Sequence, residues 1–248
     1  MQRLTTAMIL AAGYGTRMED LSRDLPKPLL PMNHLRLIEI ALLKLAHQGF
    51  QRVVINVHYI ARSIMDFLGD GSRYSVEILY SQETHLLDTG GGIAQAEPYF
   101  RGETILTLNA DVISDIDFQA LYRYHVQRQA LATMAVFPSG NNQNYRLVIY
   151  DAQYRLRGFL PRRNPLPTGS QTGIFMGYAI LSPAARAYLK PRPQSIIDAF
   201  YLPALQNEEP LFVYPFQGKW YDVGDKSSYL SIRQQIQNGQ ISLAAMMR

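Results

Sequence analysis

A chain of 248 residues with 47% apolar side chains can bury a large core as one globular domain, and its 17 glycines and 14 prolines are too few for a fibrous or disordered protein. It has no cysteine, which excludes a disulfide framework and a thiolate metal site and suits a reducing cytoplasm. The net charge of +4 favours an anionic partner, but the basic residues are scattered rather than gathered in a stripe, so no nucleic-acid partner is expected.

The first apolar run, residues 7–12, is far shorter than the roughly 20 residues of a membrane span and follows a single basic residue, Arg3. No membrane association and a cytoplasmic location are expected. Runs 7–12, 53–57, 76–80 and 104–108 are short, partly β-branched and bounded by turn residues, the pattern of buried strands in a parallel sheet. Between the first two, Leu35, Leu37, Ile38, Ala41, Leu42, Leu45 and Ala46 recur at helical spacing, with Gly49 placed to end the helix. A second crossover helix is predicted over 61–68. A third is predicted to follow the glycines at 90–92 and to be interrupted by Pro98.

Beyond Asp111 the rhythm changes. A helix is predicted over 118–129 and a strand over 131–137, and several antiparallel strands should follow. Ser182-Pro183 marks a helix start, and a last helix over 227–238 is closed by Gly239. The expectation is a single-domain, Rossmann-like α/β/α sandwich over 1–248 with a mixed, mostly parallel sheet. Residues 1–115 would form one half and 116–248 the other, with ligands beyond the carboxyl ends of the parallel strands.

The sharpest signal is LAAGYGTRM at 10–18 with LPKPLLP at 25–31, a glycine-bearing turn directly after a buried strand. Leu10, Ala11 and Ala12 lead into it. Gly13 and Gly15 let backbone N–H groups approach phosphates closely, Thr16 adds a hydroxyl and Arg17 a planar cation. Lys27, between Pro26 and Pro28, is a second cation on a stiffened loop. The dinucleotide fingerprint fails at Met18, and the Walker A sequence is absent. The plain alternative is an ordinary strand-to-helix turn with surface charges.

NAD at 109–111 puts Asn109 and Asp111 at the end of the fourth strand, where an aspartate suits Mg2+ bound together with substrate phosphates. Asp222, in GKWYDVGD at 218–225, is the chosen partner; taken alone, each aspartate reads equally as a cap or turn residue. In LLDTGGGI at 86–93, Gly90 and Gly91 offer bare backbone to a base or ribose, or simply form a flexible loop.

These motifs, in this order and over nearly the whole chain, resemble the sugar-1-phosphate nucleotidyltransferase family. VVINVHY, LGDGSRY, YSQE, NYRLV and FMGYAILSP are similar in particular to its N-acetylmuramate 1-phosphate uridylyltransferase branch. The resemblance implies that Arg17 and Lys27 are phosphate-binding cations, and that Leu10, Ala11, Ala12, Gly13, Gly15 and Thr16 with Gly90 and Gly91 bind the nucleotide. It further implies that Asp111 and Asp222 hold Mg2+ and that Asn109 and Gly177 lie beside the sugar phosphate. Asp20 and Ala110 depart from the commoner proline and glycine. The family's Glu-Lys-Pro segment is replaced by FLPRRN at 159–164, so Arg162 or Arg163 would take over its lysine's role.

The implied reaction joins a sugar 1-phosphate to a nucleoside triphosphate with release of pyrophosphate, UTP and N-acetylmuramate 1-phosphate being the expected pair. Guanylyl or thymidylyl transfer to another sugar phosphate and a non-catalytic nucleotide-sugar sensor stand as alternatives. Such a transfer needs no general base, because a phosphomonoester with its second pKa near about 6 is already ionised at neutral pH. The five histidines lack zinc-site spacing, and no G-x-S-x-G elbow is present, so neither a zinc nor a serine hydrolase is expected.

Overall fold

Strand β1 (Thr6–Leu10) is apolar from Ala7 onward because it is covered on both faces: Ala7 and Ile9 enter one helical layer and Met8 the opposite one. The computed structural model describes residues 3–138, 145–160 and 169–247. After β1 come two 3-10 turns, Thr16–Ser22 and Lys27–Leu29, and a short hairpin of β2 (Pro31–Met32) and β3 (Leu35–Arg36). Helix α1 (Leu37–His47) follows, and Glu39 in its first turn accepts a 2.8 Å hydrogen bond from the Arg36 N–H that precedes it. The chain then runs through β4 (Arg52–Val57), α2 (Ala61–Leu68), β5 (Glu77–Gln82), α3 (Asp88–Gln95), α4 (Glu97–Phe100) and β6 (Ile105–Asn109).

The expected strands are present, displaced by a residue or two at their ends. The expected third crossover helix begins earlier than its sequence reads. Asp88 opens α3, so the three glycines lie inside the helix rather than ahead of it.

The second half adds β7 (Val112–Ser114), α5 (Phe118–Gln127), β8 (Ala132–Pro138), β9 (Leu147–Tyr150), β10 (Leu156–Phe159) and the long β11 (Gln171–Leu181). It closes with α6 (Pro183–Arg186), α7 (Leu202–Gln206), β12 (Leu211–Pro215), β13 (Trp220–Asp222), α8 (Lys226–Gln237) and α9 (Leu243–Met246). Ser182 caps α6 through Ala185 N–H at 3.1 Å. Asp225 caps α8 through Ser228 N–H at 2.9 Å, which starts that helix one residue ahead of its predicted 227.

One nine-stranded sheet carries both halves. Strands β5, β4, β1 and β6 lie side by side in that order, all parallel, so their carboxyl ends share one edge. The remainder joins through β11, which runs antiparallel to β6, β8 and β9; β12 pairs parallel with β8 at the far edge. The register of β11 shifts between Phe175 and Ala179, where Gly177 adopts φ +82°, a conformation glycine takes without a steric penalty.

On one face Leu42 and Leu45 of α1, Ile64 of α2 and Leu121 of α5 bury against Ile9 and Ile55. On the other, Ile93, Phe100, Phe200 and Ala204 bury against Met8 and Val54. A third cluster joins Met18, Leu30 and Met32 to Tyr229 and Ile232 of α8, and it fixes the segment following β1 at the carboxyl edge of the sheet.

Candidate active site

The chain leaves β1 at Leu10 and turns across the carboxyl edge of the sheet. Met18 is fully buried and Ser22 Oγ donates to the Gly15 carbonyl at 2.9 Å, which holds the turn in place while Thr16 and Arg17 stay exposed. A Cβ on Gly13 would meet nothing within 4 Å, so that peptide faces open space. Gly15 differs: its φ is +68°, and a Cβ there would sit 3.1 Å from Lys27 Cβ. The bare backbone of Gly15 therefore lets the Lys27 stem pass beneath the turn.

Lys27 is 8% exposed, and its ammonium donates to Asp111 Oδ2 at 2.5 Å and to the Gly224 carbonyl at 2.9 Å. Asp111 lies two residues beyond the end of β6 and immediately ahead of β7. Asp222, 111 positions further on, arrives beside it because β13 pairs antiparallel with β7, setting Asp222 opposite Val112; Val223 N–H then donates to the Asp111 carbonyl at 2.9 Å. A Cβ on Gly224 would lie 2.9 Å from Asp222 Oδ1 and 3.3 Å from Arg17 Nη1, so this glycine admits carboxylate and guanidinium side by side.

Burial raises the Asp222 pKa above the ordinary carboxylate value, and the nearby Asp111 charge raises it further. The Tyr145 hydroxyl, donating to Asp222 Oδ2 at 2.9 Å, and the cations Lys27 and Arg17 act in the opposite sense. Two carboxylates and two cations balance in charge here, so a cation held by the carboxylates would turn the site toward polyanions. Among the described residues no group of three or more His, Asp or Glu side chains is placed to hold a metal ion without help from a ligand.

The opposite wall is built from β4 and β5. Asn56 Oδ1 accepts from Ala11 N–H at 2.9 Å, Asn56 Nδ2 donates to Glu83 Oε1 at 2.8 Å, and Glu83 Oε2 accepts from Leu87 N–H at 2.9 Å. Leu86, Asp88 and Thr89 then line the cleft. Gly90 and Gly91 do not. Both N–H groups donate to the Gln194 carbonyl, and a Cβ on Gly91 would collide with the Arg192 carbonyl oxygen. The glycine run thus serves close packing of α3 against residues 192–196, and neither N–H is free for a ligand.

Leu10, Ala11, Ala12, Gly13, Gly15, Thr16, Arg17, Lys27, Asn109 and Asp111 line one open cleft of about 370 Å3 at the carboxyl edge of the parallel strands. Gly177 stands just behind Asn109, close enough that a Cβ would lie 2.9 Å from Asn109 Nδ2. Arg162 and Arg163 lie outside the described residues. Pro28, Asn56, Leu86, Asp88, Thr89, Ala110 and Gly224 complete the lining, and none of them stands out as a site residue in the sequence. Asn56 carried a usable cue, a polar side chain within the otherwise apolar run 53–57 near the carboxyl end of β4.

A family model described as nucleotidyl transferase matches residues 6–239. The chain belongs to the nucleotidyl transferase family. Over 118 residues the chain is 49% identical to an N-acetylmuramate alpha-1-phosphate uridylyltransferase of Neisseria meningitidis serogroup B, a match covering 47% of this chain and 51% of that protein. It is 27% identical over 230 residues to a mannose-1-phosphate guanylyltransferase catalytic subunit beta of Drosophila melanogaster, with 92% of this chain and 61% of that one covered. It is also 27% identical over 240 residues to a UTP–glucose-1-phosphate uridylyltransferase of Synechocystis, with 90% and 61% covered. The match thus takes in 51–61% of the length of these curated relatives.

Among solved structures, HddC from Yersinia pseudotuberculosis superposes with a TM-score of 0.78 at 20% identity, covering 94% of this chain and all of that one. A UDP-glucose pyrophosphorylase complexed with UDP-glucose gives 0.76 at 18%, covering 95% and 99%. At these identities the likeness speaks for the fold. No helix among the described residues is long and apolar enough to cross a membrane.

Proposed function

We propose that the chain transfers a nucleotidyl group from a nucleoside triphosphate to a sugar 1-phosphate, and that UTP and N-acetylmuramate 1-phosphate are its substrates. The observation that carries the reaction class is the convergence of Arg17, Lys27 and Asp111 on a cleft floored by the turn after β1, with Asp222 beside Asp111 behind the lining. The partial 49% match supports the choice of substrates. Residues 1–115 form the nucleotide side and 116–248 the sugar-phosphate side. The proposal includes a cytoplasmic location and a role in cell-wall sugar recycling.

In this reading the backbone around Gly13, Gly15 and Thr16 receives the triphosphate, and Arg17 and Lys27 neutralise charge on its oxygens. An oxygen of the sugar phosphate forms a bond to the α-phosphorus while the bond from that phosphorus to the bridging oxygen breaks, and pyrophosphate leaves with the electron pair. Asn109 and Gly177 border the sugar phosphate, and Arg162 is its proposed cationic partner. No side chain has to accept a proton, so the work of the protein is alignment and charge neutralisation.

Asp111 and Asp222 would hold a divalent cation, which we take to be Mg2+. Their donor chemistry fits: two close carboxylates, one with its pKa raised partly by the other, suit a hard cation that completes its shell with water and phosphate oxygens. Such a cation, when bound, supplies charge neutralisation at the reacting phosphates.

The test is pyrophosphate release over a grid of UTP, dTTP, GTP, CTP and ATP against the 1-phosphates of N-acetylmuramate, glucose, N-acetylglucosamine and mannose. Release with UTP and N-acetylmuramate 1-phosphate is expected. Release from another pair alone would reassign the substrates, and binding of nucleotide without any release would replace the transferase by a sensor.

A further inference from the structure

Two walls define the cleft, the turn from Leu10 to Arg17 and the segment from Leu86 to Thr89, and they belong to different strand ends. What connects them is buried and polar. Asn56 and Glu83 are each 3% exposed, and their three hydrogen bonds run from Ala11 N–H through the Asn56 carboxamide and the Glu83 carboxylate to Leu87 N–H. The orientation of the carboxamide follows from its partners: a backbone N–H requires the oxygen of Asn56, which turns its NH2 to Glu83. Both Glu83 oxygens then face N–H donors, so this position requires a carboxylate.

A second strut runs parallel to the first. His58 Nδ1 lies 2.9 Å from the Glu83 carbonyl, which can only accept, so Nδ1 carries the proton; in the neutral ring Nε2 accepts from the Tyr14 hydroxyl at 3.2 Å. Gly92 completes the arrangement, because a Cβ there would stand 2.7 Å from Glu83 Oε1 and 2.8 Å from Asn56 Nδ2.

We infer that Asn56 and Glu83 form a clamp that sets the spacing between the two walls and thereby positions the nucleotide, an inference resting on the proposed reading of the cleft as a nucleotide site. Neither is a catalytic residue. Asn56 borders the cleft, but both polar atoms of its carboxamide are already engaged, and the Glu83 carboxylate acts through Asn56 and Leu87.

The pattern of donors yields a specific test. In Glu83→Gln the amide NH2 must face either Asn56 Nδ2 or Leu87 N–H, and in Asn56→Asp two carboxylates meet; each single change breaks the chain. The double variant Asn56→Asp with Glu83→Gln restores it with net charge unchanged. The carboxylate introduced at position 56 accepts from Ala11 N–H and from the amide NH2 introduced at position 83, while the oxygen of that amide accepts from Leu87 N–H.

The experiment compares nucleotide and sugar-phosphate KM, kcat and calorimetric nucleotide affinity in wild type, both single variants and the double variant. Each single change is expected to raise nucleotide KM roughly tenfold or more while sugar-phosphate KM stays within about twofold, and the double variant to recover within about threefold of wild type. Equal rises in both KM values, a wild-type E83Q enzyme, or a double variant as impaired as its parents would overturn the clamp. If a single variant does not fold, the double variant decides: wild-type nucleotide affinity supports the clamp, and a tenfold loss or more overturns it. A wild type that binds none of the five nucleotides removes the functional reading and the clamp with it, whereas a wild type and E83Q that bind equally remove the clamp alone.

Discussion

Lys27 holds two acceptors at once, the Asp111 carboxylate and the Gly224 carbonyl, while almost wholly withdrawn from water. A point charge fixed this way is ready before substrate arrives, so replacing it should act on turnover more than on binding of the nucleoside. Lys27→Ala is expected to lower kcat by about a hundredfold or more, by analogy with other preorganised electrostatic groups. Steady-state pyrophosphate release measures it, and a near-normal rate would take Lys27 out of the site. Asp111 and Asp222 pose the complementary case of two carboxylates brought together, one with its pKa raised by burial and by the other's charge. EDTA is expected to abolish release and excess Mg2+ to restore it; full activity in chelator would show that the pair holds no essential metal.

At the scale of elements, two glycine-bearing segments that look alike in sequence behave differently. Gly13 stands in open space after β1, whereas Gly91 lies inside α3 against the Arg192 carbonyl. Gly91→Ala should therefore destabilise the fold by about 1–3 kcal/mol through overpacking. Gly13→Ala should leave stability within about 0.5 kcal/mol and weaken nucleotide binding instead, since its methyl would occupy the space above the turn. Denaturant midpoints and calorimetry separate the two outcomes, and a stability loss at Gly13 matching that at Gly91 would contradict this division. The β7–β13 ladder is the other decisive element. Three residue pairs, ending at Asp222 opposite Val112, bring the second carboxylate to the first.

For the molecule as a whole, His125 ties stability to pH. It is 5% exposed, with Nδ1 3.0 Å from Thr133 Oγ1, and burial pushes its pKa from the ordinary 6.5 down to about 4. Between these values the unfolded chain takes up a proton that the folded chain refuses. Stability is present in full above pH 6.5 and is lost as pH falls toward 4, by an amount on the order of 3 kcal/mol. Urea midpoints across that range should fall less steeply in His125→Gln than in wild type, and parallel curves would show that His125 plays no part. Because the cleft joins several strand ends, bound nucleotide should also stabilise the whole fold, by about 2.7 kcal/mol at a hundredfold excess over Kd. A thermal midpoint unmoved by saturating nucleotide would count against the proposed site.

The sequence by itself determined the parallel half of the sheet, because strands covered on both faces must be apolar throughout and so announce themselves as short runs such as 53–57. It also determined the local turn from Leu10 to Arg17 and the stiff setting of Lys27, since both depend on residues a few positions apart. Only the tertiary structure decided what meets what over long separations. Gly90 and Gly91 read as open backbone until the Gln194 carbonyl, about a hundred residues on, is seen to take both N–H groups. Glu83 reads as an ordinary acid until Asn56 and Leu87 are found on its two oxygens. Spacing and composition report the local conformation a segment prefers, whereas a hydrogen-bond partner on another strand is chosen by register and layer packing, which no local pattern encodes.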